Sequence, residues 1–215
     1  MTNLKSSNSF KATFKEEQQE QINIGKGRGI DTSIYAKPCY DWDQMKQIRR
    51  GIEHNIDVTK YADPRFNSSQ MYQIRIGMED NLDVSKYANP EFDAAQMREI
   101  YHGLKSKVDV SKYADPKFTT DQMLALRIGL QRHLDVTAYA DPKYNYYQMD
   151  EIMLGIAKGL KVSIYANSEY TAEQMYQIRR GLLRGIDVSK YADPSISVEQ
   201  MKRIRLDLLH AKKEE

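Results

Sequence analysis

Residues 66–91 read FNSSQMYQIRIGMEDNLDVSKYANPE, and similar stretches follow one another along the chain at intervals of 26 residues. Gln-Met pairs keep this step, with the methionines at Met45, Met71, Met97, Met123, Met149, Met175 and Met201. Tyr-Ala pairs keep it as well, with the tyrosines at Tyr35, Tyr61, Tyr87, Tyr113, Tyr139, Tyr165 and Tyr191. Self-similarity at a fixed period of about 20–50 residues is the sequence signature of stacked repeats. The chain is therefore predicted to be a repeat array.

Each unit is predicted to contain one long and one short helix. Asn67 is a good N-cap, and Gln70 three positions later completes a capping box. Apolar residues then recur at the spacing of one helix face, and Asn81 occupies the position of a left-handed helix stop. Asp83 can cap a second helix of about one turn, which Pro90 limits. With no strand pattern, the predicted fold is an all-α solenoid of 26-residue units.

A glycine inside each long helix requires a physical reason. A mid-helix glycine costs about 1 kcal/mol relative to alanine, and repetition of that cost indicates a close backbone approach. We expect the short helix, with its tyrosine ring, to lie across this glycine. The glycines are Gly51, Gly77, Gly103, Gly129, Gly155 and Gly181.

The degree of match to the repeat predicts the domain organisation. Polar residues 1–13 are expected to form a flexible arm, and residues 14–210 a single α-solenoid domain. Within it, residues 14–39 form a degenerate, more polar unit, which suits a terminal repeat with one face in water. Six better-matched repeats occupy 40–195, a final capping helix occupies 196–210, and 211–215 form a solvated tail.

Composition excludes several classes of protein. The formal net charge of +2 over 215 residues is that of neither a nucleic-acid polycation nor an acidic mimic of DNA. No run of 18 apolar residues occurs, so neither a membrane span nor a signal peptide is expected. A lone cysteine, Cys39, fits a reducing compartment. We expect a cytoplasmic protein.

Catalytic chemistry is not indicated. The four histidines occupy unrelated registers and form no metal-ligand spacing with Cys39. A recurring aspartate is explained by helix capping, at Asp57, Asp83, Asp109, Asp135 and Asp187. An active site needs unlike groups that converge on one spot, whereas a repeat array presents columns of like groups. We expect no enzyme activity, no cofactor or metal, and no small-molecule substrate.

One column of arginines flanks the predicted core stripe and has two interpretations. Each arginine stem can cover the core while its head pairs with a neighbouring acid. Alternatively, the column is a basic stripe for phosphates, which would make nucleic acid the partner. The arginines are Arg49, Arg75, Arg127, Arg179 and Arg205.

The fifth unit departs most from the repeat and supplies the predicted protein interface. Tyrosines cluster at the start of its long helix, where other units carry serine or alanine, and a methionine replaces the arginine. Exposed aromatic residues commonly anchor interfaces, although drift in a redundant repeat would produce a similar pattern. The candidate interface residues are Tyr146, Tyr147, Tyr144, Met153, Trp42 and Tyr101.

The consensus QMxxIRxGLxxxIDVSxYADPxF, which spans residues 14–210, resembles tandem repeats in proteins encoded on conjugative and prophage elements of gut Firmicutes. The resemblance implies a bacterial cytoplasm and a mobile element as the setting, and it implies no mechanism. From the residues together with this setting we expect a non-catalytic repeat scaffold that binds another macromolecule. A protein is the favoured partner, and a mobile-element or phage factor acting on a host or rival system is the expected role.

Overall fold

The computed structural model describes residues 13–214, with the side chains of residues 13–212. Except for its last residue, the predicted N-terminal arm lies outside this range. The described residues form eight α-helices and no strand, which confirms the all-α prediction. The α-helices are α1 (Glu16–Gly27), α2 (Trp42–Glu53), α3 (Ser68–Glu79), α4 (Ala94–Lys105), α5 (Thr120–Gln131), α6 (Tyr146–Ile156), α7 (Ala172–Leu182) and α8 (Val198–Glu214).

Short 3-10 helices alternate with the α-helices, as the capping aspartates predict. They span Thr32–Ile34, Val58–Lys60, Val84–Lys86, Val110–Lys112, Val162–Ile164 and Val188–Lys190. In the fourth repeat, which spans residues 118–143, a turn at residues 137–139 replaces the short helix. The Asp83 side chain accepts a hydrogen bond from the Ser85 N–H, whereas Lys161, which replaces the aspartate, makes no such bond.

The contacts divide the chain into two compact units, Met1–Met97 and Arg98–Glu215. In the first unit, α1 packs on α2 and α2 on α3. In the second, α5 packs on α6, α6 on α7 and α7 on α8. Sequential packing of like helices is the arrangement of an α-solenoid, in which each repeat buries its apolar face against its neighbours.

The ends of the long helices follow the sequence signals. At α3, the Asn67 carboxamide oxygen accepts from the Gln70 N–H, and the Gln70 side chain accepts from the Asn67 N–H, which completes the predicted capping box. After α3, Asn81 adopts a φ of 56°, the left-handed conformation that a helix stop requires. Glycine takes the same role after α6, where Gly159 has a φ of 67°.

Close contact with a tyrosine explains the glycine inside each long helix. A Cβ added to Gly77 would lie 1.9 Å from the Tyr87 hydroxyl oxygen, and the other units repeat this contact. The Tyr87 hydroxyl donates to the carbonyl oxygen of Gln73 at 3.1 Å, so the ring crosses the long helix of its own unit. The predicted packing role is confirmed, and Gly25 of the degenerate first unit shares it through Tyr35.

In five repeats a buried glutamine reaches the start of the next repeat. Gln148 accepts from the Asn145 N–H at 2.8 Å, and its Nε2 donates to the carbonyl oxygens of Ser168 at 3.1 Å and Tyr170 at 2.6 Å. Thus one carboxamide both caps its own helix and binds two carbonyls about 20 residues later. The same bridges recur at Gln44, Gln70, Gln122 and Gln174. The sequence predicted the capping role of these residues but missed the bridge between units.

The last helix continues beyond the predicted end. We expected α8 to stop near His210 and a solvated tail to follow, but α8 runs to Glu214. The Lys212 ammonium donates to the carbonyl oxygens of Arg184 and Gly185 at 3.1 and 2.8 Å. These carbonyls lie at the end of the preceding long helix, where a cation is favourable.

Candidate interaction surface

The arginines of the column are buried or largely buried, and they are paired rather than exposed. Arg75 is 4% exposed, and its Nε donates to Gln47 Oε1 at 3.2 Å. In the second compact unit, Arg98–Glu215, Arg179 Nε donates to Glu151 at 2.6 Å. Each acceptor lies 28 residues before its arginine, on the preceding long helix, and the pairs repeat at Arg49 with Gln21, Arg127 with Glu99 and Arg205 with Gln177. The pairing interpretation therefore describes these side chains, and no exposed basic stripe results.

This pairing also explains Met153, one of the predicted interface residues. Met153 is 4% exposed, so it forms no surface patch. The residue 28 positions before it is Ala125, which is buried and offers no side-chain acceptor. An arginine at 153 would have no acceptor there, and a buried unpaired charge is costly. The prediction of Met153 as an interface residue is wrong, because the position belongs to the core.

Tyr144 is likewise a core residue. It is 4% exposed and occupies the register held by Phe66 and Phe118 in other units. Its hydroxyl donates to the Ala166 carbonyl oxygen at 2.8 Å. Tyr40 repeats this arrangement through the carbonyl oxygen of Ala62. The hydroxyl at this register adds a bond to the segment that follows the short helix of its own repeat, so the tyrosine signals packing rather than recognition.

Tyr101 is also mostly covered. It is 9% exposed, and its ring meets His102 edge-on with centroids 5.2 Å apart. The Lys105 ammonium lies 5.4 Å from the ring centroid and donates to the Tyr101 hydroxyl at 3.1 Å. The structure thus leaves little of this ring for a partner, contrary to our expectation of an interface residue.

Three of the predicted interface residues do reach the surface. Tyr147 is 69% exposed and Trp42 is 40% exposed, while Tyr146 is half-buried. Lys46 of the same helix lies over the Trp42 ring, 5.3 Å from its centroid. Tyr146 and Tyr147 meet edge to face, with centroids 5.4 Å apart, and no cation of the described residues lies over the Tyr147 ring.

Tyr147 lies beside a groove that the sequence did not predict. The groove has a volume of about 410 Å³ and is lined by Tyr147, Asp150, Glu151, Ala172, Glu173, Tyr176, Gln177 and Val198. We call it the tyrosine groove. Its residues come from the first two turns of α6 and α7 and from the start of α8, which Ser197 caps, so three capped helix ends position it.

Tyrosine and acid alternate across the tyrosine groove. On α6, Tyr147 precedes Asp150 by three positions, and on α7, Glu173 precedes Tyr176 by three. Residues three apart on a helix are neighbours on one face. Tyr147 and Glu173 occupy equivalent positions on adjacent helices, as do Asp150 and Tyr176, so each helix contributes one ring and one carboxylate in opposite order.

Sequence reasoning missed Tyr176, which is 36% exposed. Its signal was present, because the register that holds Tyr176 holds Lys46, Arg98 and Asp150 in other units. Tyr72 occupies this register in the first compact unit and is 41% exposed. Both tyrosines carry a guanidinium over the ring, since Arg75 lies 5.4 Å from the Tyr72 centroid.

The described residues hold few features of other site types. Among them, no three His, Cys, Asp or Glu side chains are grouped so that they could hold a metal ion. No helix between residues 13 and 214 is both long enough and apolar enough to cross a membrane. Comparison of the chain with protein-family models, curated proteins and solved structures gives no match.

Proposed function

We propose that this chain is a non-catalytic α-solenoid that binds another macromolecule, specifically a protein. The observation that carries the proposal is the 69% exposed Tyr147 at the edge of a groove. A large aromatic ring can bury much apolar area on binding while it loses little side-chain entropy. Such residues are enriched among those that dominate interface energy.

The buried registers strengthen this assignment by elimination. Met, Ile, Gly, Gln and Arg columns pack the units together, and Tyr144 and Met153 serve the same purpose. Tyr147 makes no contribution of that kind, because it is exposed at a position that holds serine, alanine or an acid in other units. Packing therefore gives no reason for an aromatic ring there, whereas a partner would.

We further propose a setting in a bacterial cytoplasm. The repeat resembles those encoded on conjugative and prophage elements, and a factor from such an element gains from binding a host or rival protein. The resemblance supports the setting by association. It gives no information on the identity of the partner.

The proposal is tested with the full chain, immobilised and exposed to a bacterial lysate. A captured protein should bind the purified chain, and Tyr146→Ala with Tyr147→Ala should weaken that binding about 30-fold, the equivalent of about 2 kcal/mol. The circular dichroism spectrum should be unchanged, because neither side chain is part of the core. Tyr72→Ala is the matched control, since Tyr72 is exposed but lies in the other compact unit.

Two results would contradict the proposal. One is unchanged affinity for the tyrosine pair. The other is binding that nuclease abolishes and that weakens by orders of magnitude between about 50 and about 200 mM salt, which is the behaviour of phosphate contacts. In that case nucleic acid would be the partner.

A further inference from the structure

We propose that the tyrosine groove binds a basic segment of a protein partner, with a lysine or arginine side chain between the Tyr147 ring and the carboxylates of Asp150 and Glu173. This inference rests on the proposed protein-binding function and adds the chemistry of the partner. It depends on three features of the groove: an exposed aromatic ring with no cation over it, carboxylates without ion pairs, and a negative total charge.

The first feature is the state of the two rings. Tyr176 already holds cations, because Arg179 and Arg180 lie 5.6 and 5.5 Å from its centroid and Arg180 donates to its hydroxyl at 3.0 Å. Tyr147 is 69% exposed, and within residues 98–212 its one ring contact is the T-shaped one with Tyr146 and no cation lies over it. A cation within about 6 Å of a ring face is attracted by the ring quadrupole. The Tyr147 ring is therefore the place where a cation from outside would bind.

The second feature is the carboxylates. Glu151 is neutralised by Arg179 at 2.6 Å. Asp150 and Glu173 form no ion pair within residues 98–212, although both line the groove. A carboxylate in the first helical turn complements the helix dipole, which accounts in part for Glu173. It does not account for Asp150, which lies one turn further along and is half-buried.

The third feature is the charge around the groove. The lining residues carry three carboxylates and no cation. With the two arginines over Tyr176 included, the five charged side chains sum to −1. A chain with an overall formal charge of +2 therefore presents a locally negative, aromatic groove. Complementary charge steers a partner and selects against the wrong one, so an acidic or phosphorylated segment would be repelled.

The experiment selects 12-residue peptides from a random display library on the immobilised full chain. We expect the selected peptides to be enriched in lysine and arginine. Asp150→Asn with Glu173→Gln should weaken their binding at least 10-fold, and Tyr147→Ala should do the same. Glu169→Gln, an exposed acid in the loop before α7, and Tyr72→Ala should each leave binding unchanged.

Three outcomes would overturn the proposal. The selected peptides could be acidic or neutral, or they could bind the Asp150→Asn, Glu173→Gln variant as well as the parent. The third outcome is that no peptide is selected. Sedimentation that shows a dimer removed by Tyr147→Ala would overturn it in another way, because a second copy would occupy the groove. The lysate experiment separates the two proposals. If a captured protein still binds after both acids are neutralised but not after both tyrosines are removed, only the proposal of a basic segment is refuted. If the chain captures no protein, both proposals are refuted.

Discussion

Gly129→Ala gives the most direct test of the contact between glycine and tyrosine. The new Cβ would lie 2.0 Å from the Tyr139 hydroxyl oxygen, 3.1 Å from Val136 Cγ1 and 3.3 Å from Tyr139 Cζ. Real Cβ atoms do not approach another atom to 2.0 Å, so the ring must move within a packed core. Overpacking costs about 1–3 kcal/mol, and helix propensity returns up to about 1 kcal/mol. We expect a net loss of stability of about 1–2 kcal/mol.

The companion change Tyr139→Phe identifies the atom responsible. Without the hydroxyl, the remaining neighbours lie at 3.1 and 3.3 Å, where a shift of a few tenths of an ångström suffices. Gly129→Ala should then cost little or stabilise the helix, which gives a coupling of about 1–2 kcal/mol in the double-mutant cycle. Gly155 with Tyr165 is the matched control, since Val162 Cγ1 at 2.8 Å remains in the way there. Removal of the Tyr165 hydroxyl should therefore relieve less of the cost.

Urea unfolding followed by circular dichroism at 222 nm measures each corner of the cycle. The dependence of the unfolding free energy on urea concentration must be compared among the variants, because a repeat array need not unfold in a single step. A Gly129→Ala variant at least as stable as the parent would show that the glycine is not needed for close approach. A loss that persists unchanged in the Tyr139→Phe background would assign the clash to an atom other than the hydroxyl oxygen.

Three further predictions follow from the contacts between and within units. Tyr139→Phe should be neutral or stabilising, because within the described chain the buried Tyr139 hydroxyl has no hydrogen-bond partner. Tyr165→Phe loses a bond to the Glu151 carbonyl oxygen and should cost about 0.5–1.5 kcal/mol in urea unfolding. Gln148→Ala leaves the Asn145 N–H and two carbonyls without this partner and should cost at least about 2 kcal/mol. Gln131→Ala, which removes only solvent-exposed side-chain bonds to Arg127 and Ser106, should cost less than about 0.5 kcal/mol, and equal losses would show that the bridge is not important. Glu151→Ala leaves the largely buried Arg179 without its acid and should cost about 3 kcal/mol. Addition of Arg179→Met, which copies the Ala125–Met153 pair, should restore most of the melting temperature, and no restoration would contradict the pairing rule.

Most of the fold could be predicted because it is determined inside one 26-residue unit. The cap at Asn67, the helix stop at Asn81 and the short helix after Asp83 depend on residues only a few positions apart. The contact of Gly77 with Tyr87 spans ten positions and still lies within the unit. Local chemistry and a fixed period were therefore sufficient.

The contacts between units could not be derived in the same way. Gln148 reaches carbonyls 20 and 22 positions later, and Arg179 reaches an acid 28 positions earlier. Those offsets depend on how one helix packs on the next, which the sequence of a single unit does not determine. For this reason the sequence leaves the arginines open to two interpretations and predicts Tyr144 and Met153 at an interface, although both are buried.

The offset of 28 changes how a departure from the repeat should be interpreted. Ala125 and Met153 both break the pattern, but they break it together, as an acceptor and a donor lost from one pair. A departure that has a compensating change in a neighbouring unit is explained by packing. Tyr147 has no such counterpart, because its ring is 69% exposed and contacts no other ring than that of Tyr146 within the described chain. We propose that this uncompensated departure serves an outside partner; it lies beside Asp150 and Glu173, which form no ion pair within residues 98–212. This is the physical basis for assigning binding to the tyrosine groove rather than to the other irregular positions of the fifth unit.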